Sequence, residues 1–145
     1  MSGGYWDYKD EYLKDLDLNT IETESKELKK DIEEDGKVPK TIKINKSNYT
    51  TEEFLYLMSK AILNINKKDK SPIKLKHMDK APSPNSKELT GKIYKNEYLK
   101  MANYIIKFMN DKSRASNYVS SNLGNIPYKQ VVHIYSKILD FYKKE

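Results

Sequence analysis

The sequence predicts a mainly α-helical protein built from one unit used twice, each unit a helix, an extended turn and a second helix, the two sharing a core. Three observations predict it. The chain overlays itself without gaps at an offset of 77 residues, residues 21–65 lying over 98–142. Both copies contain two stretches of helical periodicity. Turn formers separate those stretches at matching places.

Residues 1–19 form an aromatic and acidic segment, with Tyr5, Trp6, Tyr8 and Tyr12 ahead of Leu13, Leu16 and Leu18; a short helix docked on the second unit is expected there, with a frayed terminus as the alternative. The first unit spans 20–65. Ile21, Ser25, Leu28 and Ile32 repeat at i, i+4, i+7 and i+11, one face of a helix. Asp35-Gly36 ends that helix, and Pro39 prevents its continuation. Thr50 and Glu53 form a capping box ahead of a second helix carrying Phe54, Leu57, Met58, Ala61 and Ile65.

A Pro- and Lys-rich hinge occupies 66–92, where Ser71-Pro72 and Pro82-Ser83-Pro84 exclude regular helix, and Ile73, Leu75 and Met78 tack it to the core. The second unit, 93–145, repeats the pattern with Tyr98, Ala102, Ile105 and Met109. Pro127 then marks a helix start, followed by Val131, Ile134, Tyr135, Ile138 and Tyr142. The connections Lys40–Ile44 and Asn117–Ser120 are short and β-compatible, and are expected to form at most a small ribbon with each other.

Composition narrows the function. There is no cysteine, which removes disulfides, thiol nucleophiles and thiolate metal sites. His77 and His133 stand without a second histidine at ligand spacing, and no glycine-rich phosphate loop is present. His77 is expected to be solvated and His133 structural. Glu33-Glu34-Asp35 and Glu52-Glu53 read as helix-end charges and caps. The expectation is therefore a protein that is no enzyme and takes no metal or cofactor. No apolar run is long enough to span a bilayer, so membrane insertion is not expected. The N-terminus lacks the basic and apolar pattern of a signal peptide. A net charge of +6 suits acidic partners, and equally suits a lysine-solubilised surface.

Several strings resemble the pseudomurein-binding repeat family of methanogen surface proteins and viral pseudomurein endoisopeptidases. The first unit has Gly36-Lys37-Val38-Pro39 and Phe54-Leu55-Tyr56-Leu57-Met58-Ser59-Lys60-Ala61-Ile62. The second has Gly91-Lys92-Ile93-Tyr94-Lys95-Asn96-Glu97-Tyr98, Arg114-Ala115-Ser116-Asn117-Tyr118 and Gly124-Asn125-Ile126-Pro127-Tyr128. The resemblance covers roughly residues 20–145, and Ser113 and Ser116 depart from it where the family tends to have Gly and Pro; His133 also interrupts the apolar-aromatic start of the last helix. It implies non-catalytic attachment to the pseudomurein wall of methanogenic archaea. The place of action would be the cell wall or extracellular space, beside a catalytic or surface domain of a longer parent protein.

Holding a sugar polymer calls for stacking aromatics and flexible polar donors, and the chain has 12 Tyr against 3 Phe. Candidate ligand-binding residues are Arg114, Asn117, Tyr118 and Tyr128, with Lys40, Thr41 and Tyr49 at related places in the first unit. Tyr56, Tyr98, Tyr135 and Tyr142 fall at helical spacing and read as core. The alternative is a basic helical nucleic-acid-binding protein, which the scarcity of Arg, only Arg114, weighs against. Asn45-Lys46-Ser47 and Asn48-Tyr49-Thr50 match the N-glycosylation pattern, a weak sign of extracellular life.

Overall fold

The computed structural model describes residues 15–144, so the helix expected within 1–19 lies largely outside the described residues. The elements are α1 (Leu18–Asp35), β1 (Thr41–Ile44), β2 (Ser47–Thr50), α2 (Thr51–Lys67), α3 (Lys95–Lys112), β3 (Tyr118–Ser121), β4 (Gly124–Pro127) and α4 (Tyr128–Lys143). Leu18 and Lys95, Thr41 and Tyr118, Ser47 and Gly124, and Thr51 and Tyr128 open matching elements, each pair 77 residues apart. The duplication is structural as well as periodic.

Matching local chemistry sets the boundaries. α1 ends where Gly36 turns left-handed at φ 74° and returns its N–H to the Ile32 carbonyl at 2.8 Å. α3 ends at the equivalent Ser113, at φ 55°, with its N–H on the Met109 carbonyl at 2.9 Å. Before α2, the Thr50 hydroxyl accepts from the Glu53 N–H and the Glu53 carboxylate accepts from the Thr50 N–H, the capping box read from the sequence. The Thr51 N–H donates to the Lys40 carbonyl at 3.1 Å, and the equivalent Tyr128 N–H to the Asn117 carbonyl at 3.2 Å. One bond therefore closes the base of each hairpin.

The β-compatible connections do not pair with each other. β1 pairs antiparallel with β2 and β3 with β4, giving two separate hairpins. Local closure explains the difference: Asn45 and Lys46 both take positive φ, 51° and 71°, the backbone of a tight two-residue turn. Closing so short a loop costs far less entropy than bringing together strands 77 residues apart.

The helices are exchanged between units. α1 packs most extensively on α4, α3 packs on α2, and α2 meets α4 at the centre. Each opening helix is thus covered by the closing helix of the other unit. Ile21, Leu28 and Ile32 from α1 join Phe54, Leu57, Met58 and Ile62 from α2, Met101, Ile105 and Met109 from α3, and Val131, Tyr135 and Leu139 from α4 in one buried cluster. A unit alone would leave the apolar stripes of both its helices facing water, so the two units stabilise each other.

Residues 68–94 run as an extended strap. Ile73 exchanges backbone hydrogen bonds with Leu16 at 2.8 and 3.0 Å, and Asp79 bonds to Ser113 and Ala115 of the second unit. The Asn85 N–H reaches the Asn117 carbonyl, and the Gln130 amide grips both backbone groups of Leu89. The strap's own Ile73, Leu75, Met78 and Ala81 are buried against the core. No described helix is long and apolar enough to cross a membrane.

Candidate functional site

The seven candidate residues fall into three groups. Tyr49 and Tyr128 are core residues, 3% and 4% exposed, and offer no ring face to a polymer. Alternation in β2 turns Tyr49 inward, and Tyr128 begins α4 on its buried side. The Tyr128 hydroxyl has no hydrogen-bond partner among the described residues; burial, with the nearby Glu52 carboxylate, pushes its ionisation well above the ordinary tyrosine range.

Asn117 is occupied with structure. Its side-chain oxygen accepts from the Ser83 N–H at 2.8 Å, and its carbonyl takes the Asn85 and Tyr128 N–H groups. It anchors the strap to the base of the second hairpin. Lys40 holds the equivalent place in the first unit, its carbonyl receiving Thr51, while its side chain and Thr41 are exposed. Tyr118 is exposed as well, at the first position of β3. Lys40 and Thr41 belong to one hairpin, and Asn117 and Tyr118 to the other, the two being separate sheets.

Arg114 belongs to a surface that sequence reasoning missed. Its guanidinium lies 5.0 Å from the centre of the Phe108 ring, and Tyr104 stands beside Phe108 at 6.0 Å between centroids. Tyr104 and Phe108 are about one helical turn apart on α3, so their rings lie side by side on its outer face, tilted by 37°. Arg114 follows the left-handed turn at Ser113, which folds its side chain back toward the helix. One guanidinium N–H is also fixed on the Ala115 carbonyl at 3.0 Å. The result is a ladder of Tyr104, Phe108 and Arg114, its first ring 44% exposed. The sequence signal was the i, i+4 aromatic pair on the polar side of α3. The first unit has Glu27, Asp31 and Lys37 at these positions and carries no such ladder.

Around the edge of α3 lies a polar cleft of about 460 Å³ lined by Tyr56, Lys60, Asn64, Lys74, Lys76 and Asn110, among others. The Tyr56 hydroxyl donates to the Asn110 side chain at 3.0 Å, and the Lys76 ammonium to the Asn110 carbonyl at 3.3 Å. This cleft supplies cations and amide groups on a different flank of α3 from the aromatic ladder, since Asn110 stands two residues from Phe108 and so points the other way round the helix.

His77 is exposed but not simply solvated. Its two ring nitrogens face Glu53 at 3.2 Å and Asp79 at 3.1 Å. Glu53 is buried and serves the α2 cap, and Asp79 is pinned to the second unit, so the imidazole joins the two units through the strap. With the carboxylates on opposite nitrogens, the arrangement is a clasp. His133 bonds to Glu33 at 3.0 Å and links α4 to α1.

No known family model, curated protein or solved structure matches the chain.

Proposed function

We propose that this chain is a non-catalytic module that holds a cell-wall polymer, and that the polymer is pseudomurein. The observation that carries the reading is the Tyr104–Phe108–Arg114 ladder, exposed at Tyr104 and partly buried at Phe108 and Arg114. Sugar rings present weakly apolar C–H faces bordered by hydroxyls, and neighbouring aromatic rings with a flat cation beside them suit such a ligand. Asn64, Lys60 and Lys74 in the separate polar cleft offer groups for amides, hydroxyls or carboxylates of the polymer. The choice of pseudomurein comes from the Gly-Lys-x-Pro, Gly-Lys-Ile-Tyr-Lys and Gly-x-Ile-Pro-Tyr strings and from their occurrence across a duplicated fold. In this reading the module acts at the cell wall, tethering a longer parent protein.

The test is co-sedimentation of the chain with isolated pseudomurein sacculi, bacterial murein and DNA-cellulose, at low and high salt. Retention on pseudomurein that survives salt supports the proposal, because stacking is screened little by ions. Salt-sensitive retention on DNA alone would replace it with nucleic-acid binding, whose phosphate contacts weaken steeply with ionic strength.

A further inference from the structure

The two units differ in one respect that the duplication makes readable. In the first, Leu16, Ile21, Leu57 and Ala61 are all 5% exposed or less. Their equivalents in the second, Ile93, Tyr98, Ile134 and Ile138, are only partly buried. They line an open groove of about 460 Å³ together with Leu89 and Leu123.

The strap accounts for the difference. In the first unit it lies along α2 beside Tyr56 and Lys60, clasps Glu53 through His77, and bonds Ile73 to the backbone of Leu16. Ile73 and Leu75 are buried there, 3% and 2% exposed. In the second unit the chain closes only one end of the groove, where Gln130 grips Leu89 at the position equivalent to Glu53. Toward the end of α4 the groove stays open. Ile93, the equivalent of Leu16, has no backbone hydrogen-bond partner among the described residues.

Charge points the same way. In the first unit Asp69 of the strap lines the same cleft as Lys60. The equivalent Lys137 stands on the rim of the open groove and has no carboxylate partner among the described residues.

We propose that the second-unit groove docks an extended peptide segment of a partner protein. The segment pairs its backbone with Ile93, places two apolar side chains at alternate positions against Ile134 and Ile138, and carries an acidic residue about four positions earlier to meet Lys137. The chain's own Asp69–Lys76 segment, with Ile73 and Leu75, has this chemistry. Addition of an extended segment to an unpaired edge, with pockets for alternate side chains, is a recurring mode of peptide recognition.

The probe is a synthetic peptide with the sequence of residues 69–76, titrated into the full chain and followed by NMR, with a scrambled peptide as control. Saturable shifts at Ile93, Ile134 and Ile138, absent with the scrambled peptide, are expected. Ile138→Glu, shown by circular dichroism to remain helical, should weaken binding at least about tenfold. Lys137→Glu, an exposed change that leaves the fold intact, should weaken it about two- to fivefold by charge reversal. Shifts confined to Leu16 and Leu57, equal response to the scrambled peptide, or no saturable shift would overturn the proposal. Mass that rises with concentration, with these same residues shifting in the absence of peptide, would also overturn it by assigning the groove to a second copy.

Discussion

The Tyr56 hydroxyl bonds to Asn110 at 3.0 Å, joining α2 to α3, and the equivalent positions 77 residues away hold His133 and Glu33, bonded at 3.0 Å between α4 and α1. The same interhelical joint is thus made by a neutral pair on one side and an ionisable pair on the other. Tyr56 is buried and its bond to Asn110 partly covered, whereas Glu33 is 43% exposed at its side chain and its bond to His133 lies at the surface. An ionised pair is inexpensive where solvent reaches it and costly where it does not.

This asymmetry predicts an acid sensitivity located at one joint. The bond from His133, assisted by Lys29, holds the Glu33 carboxyl below its ordinary range. A lowered folded-state value stabilises the fold fully above the ordinary Glu range, and that contribution is lost as pH falls through the lowered value. Glu33→Gln should therefore lower Tm near neutral pH, and the gap from the parent chain should close below about pH 4. A gap constant across the titration would show that the carboxylate charge plays no part.

Ser113 adopts φ 55° where the first unit has Gly36 at φ 74°. A left-handed conformation strains residues with a Cβ, and glycine relieves it at some entropic cost to folding. Ser113→Gly should raise stability by about 0.5–1 kcal/mol in urea unfolding, and Gly36→Ser should lower it by a similar amount. A loss on Ser113→Gly would mean that the serine side chain contributes more than the backbone strain removes.

Tyr128→Phe removes a buried hydroxyl that has no hydrogen-bond partner among the described residues. Stability should be unchanged or higher by up to about 1 kcal/mol, since the ring packing remains and a desolvated polar group is removed. Retention on wall polymer should not change, because the ring is buried. Reduced retention by a variant with unaltered Tm would return Tyr128 to the binding surface.

Tyr104→Ala and Arg114→Ala should each weaken polymer retention about tenfold or more, with the pair close to background. Tyr104 is exposed, so its variant should keep the parent Tm within about 1–2 °C. Asn117→Ala separates the two roles. It releases the Ser83 N–H and should lower Tm more than it lowers retention measured well below the transition.

Helix positions were legible because local rules set them. The four periodic stripes, the Thr50–Glu53 box and the Gly36 stop all act within a few residues. The exact matching of element starts at 77 residues was legible for the same reason. The hairpin partners were not, since pairing of short β-compatible segments depends on the φ values of Asn45 and Lys46, for which the residue types are only permissive. Burial of the candidate residues was only partly legible. Tyr118 is exposed and Arg114 partly so, but Tyr49 and Tyr128, also read as surface candidates, are buried, because their types suit both core and ligand.

The sequence by itself determined a cysteine-free, basic, duplicated helical chain and where its helices begin and end, because composition and nearest-neighbour chemistry need no knowledge of distant contacts. Only the tertiary structure decided that the units exchange helices, and that the strap seals one unit's groove and leaves the other's open. It also brought Arg114 onto Phe108. These outcomes depend on which surfaces meet once the apolar stripes are buried, and nearly identical stripes in two copies do not say which helix each will cover.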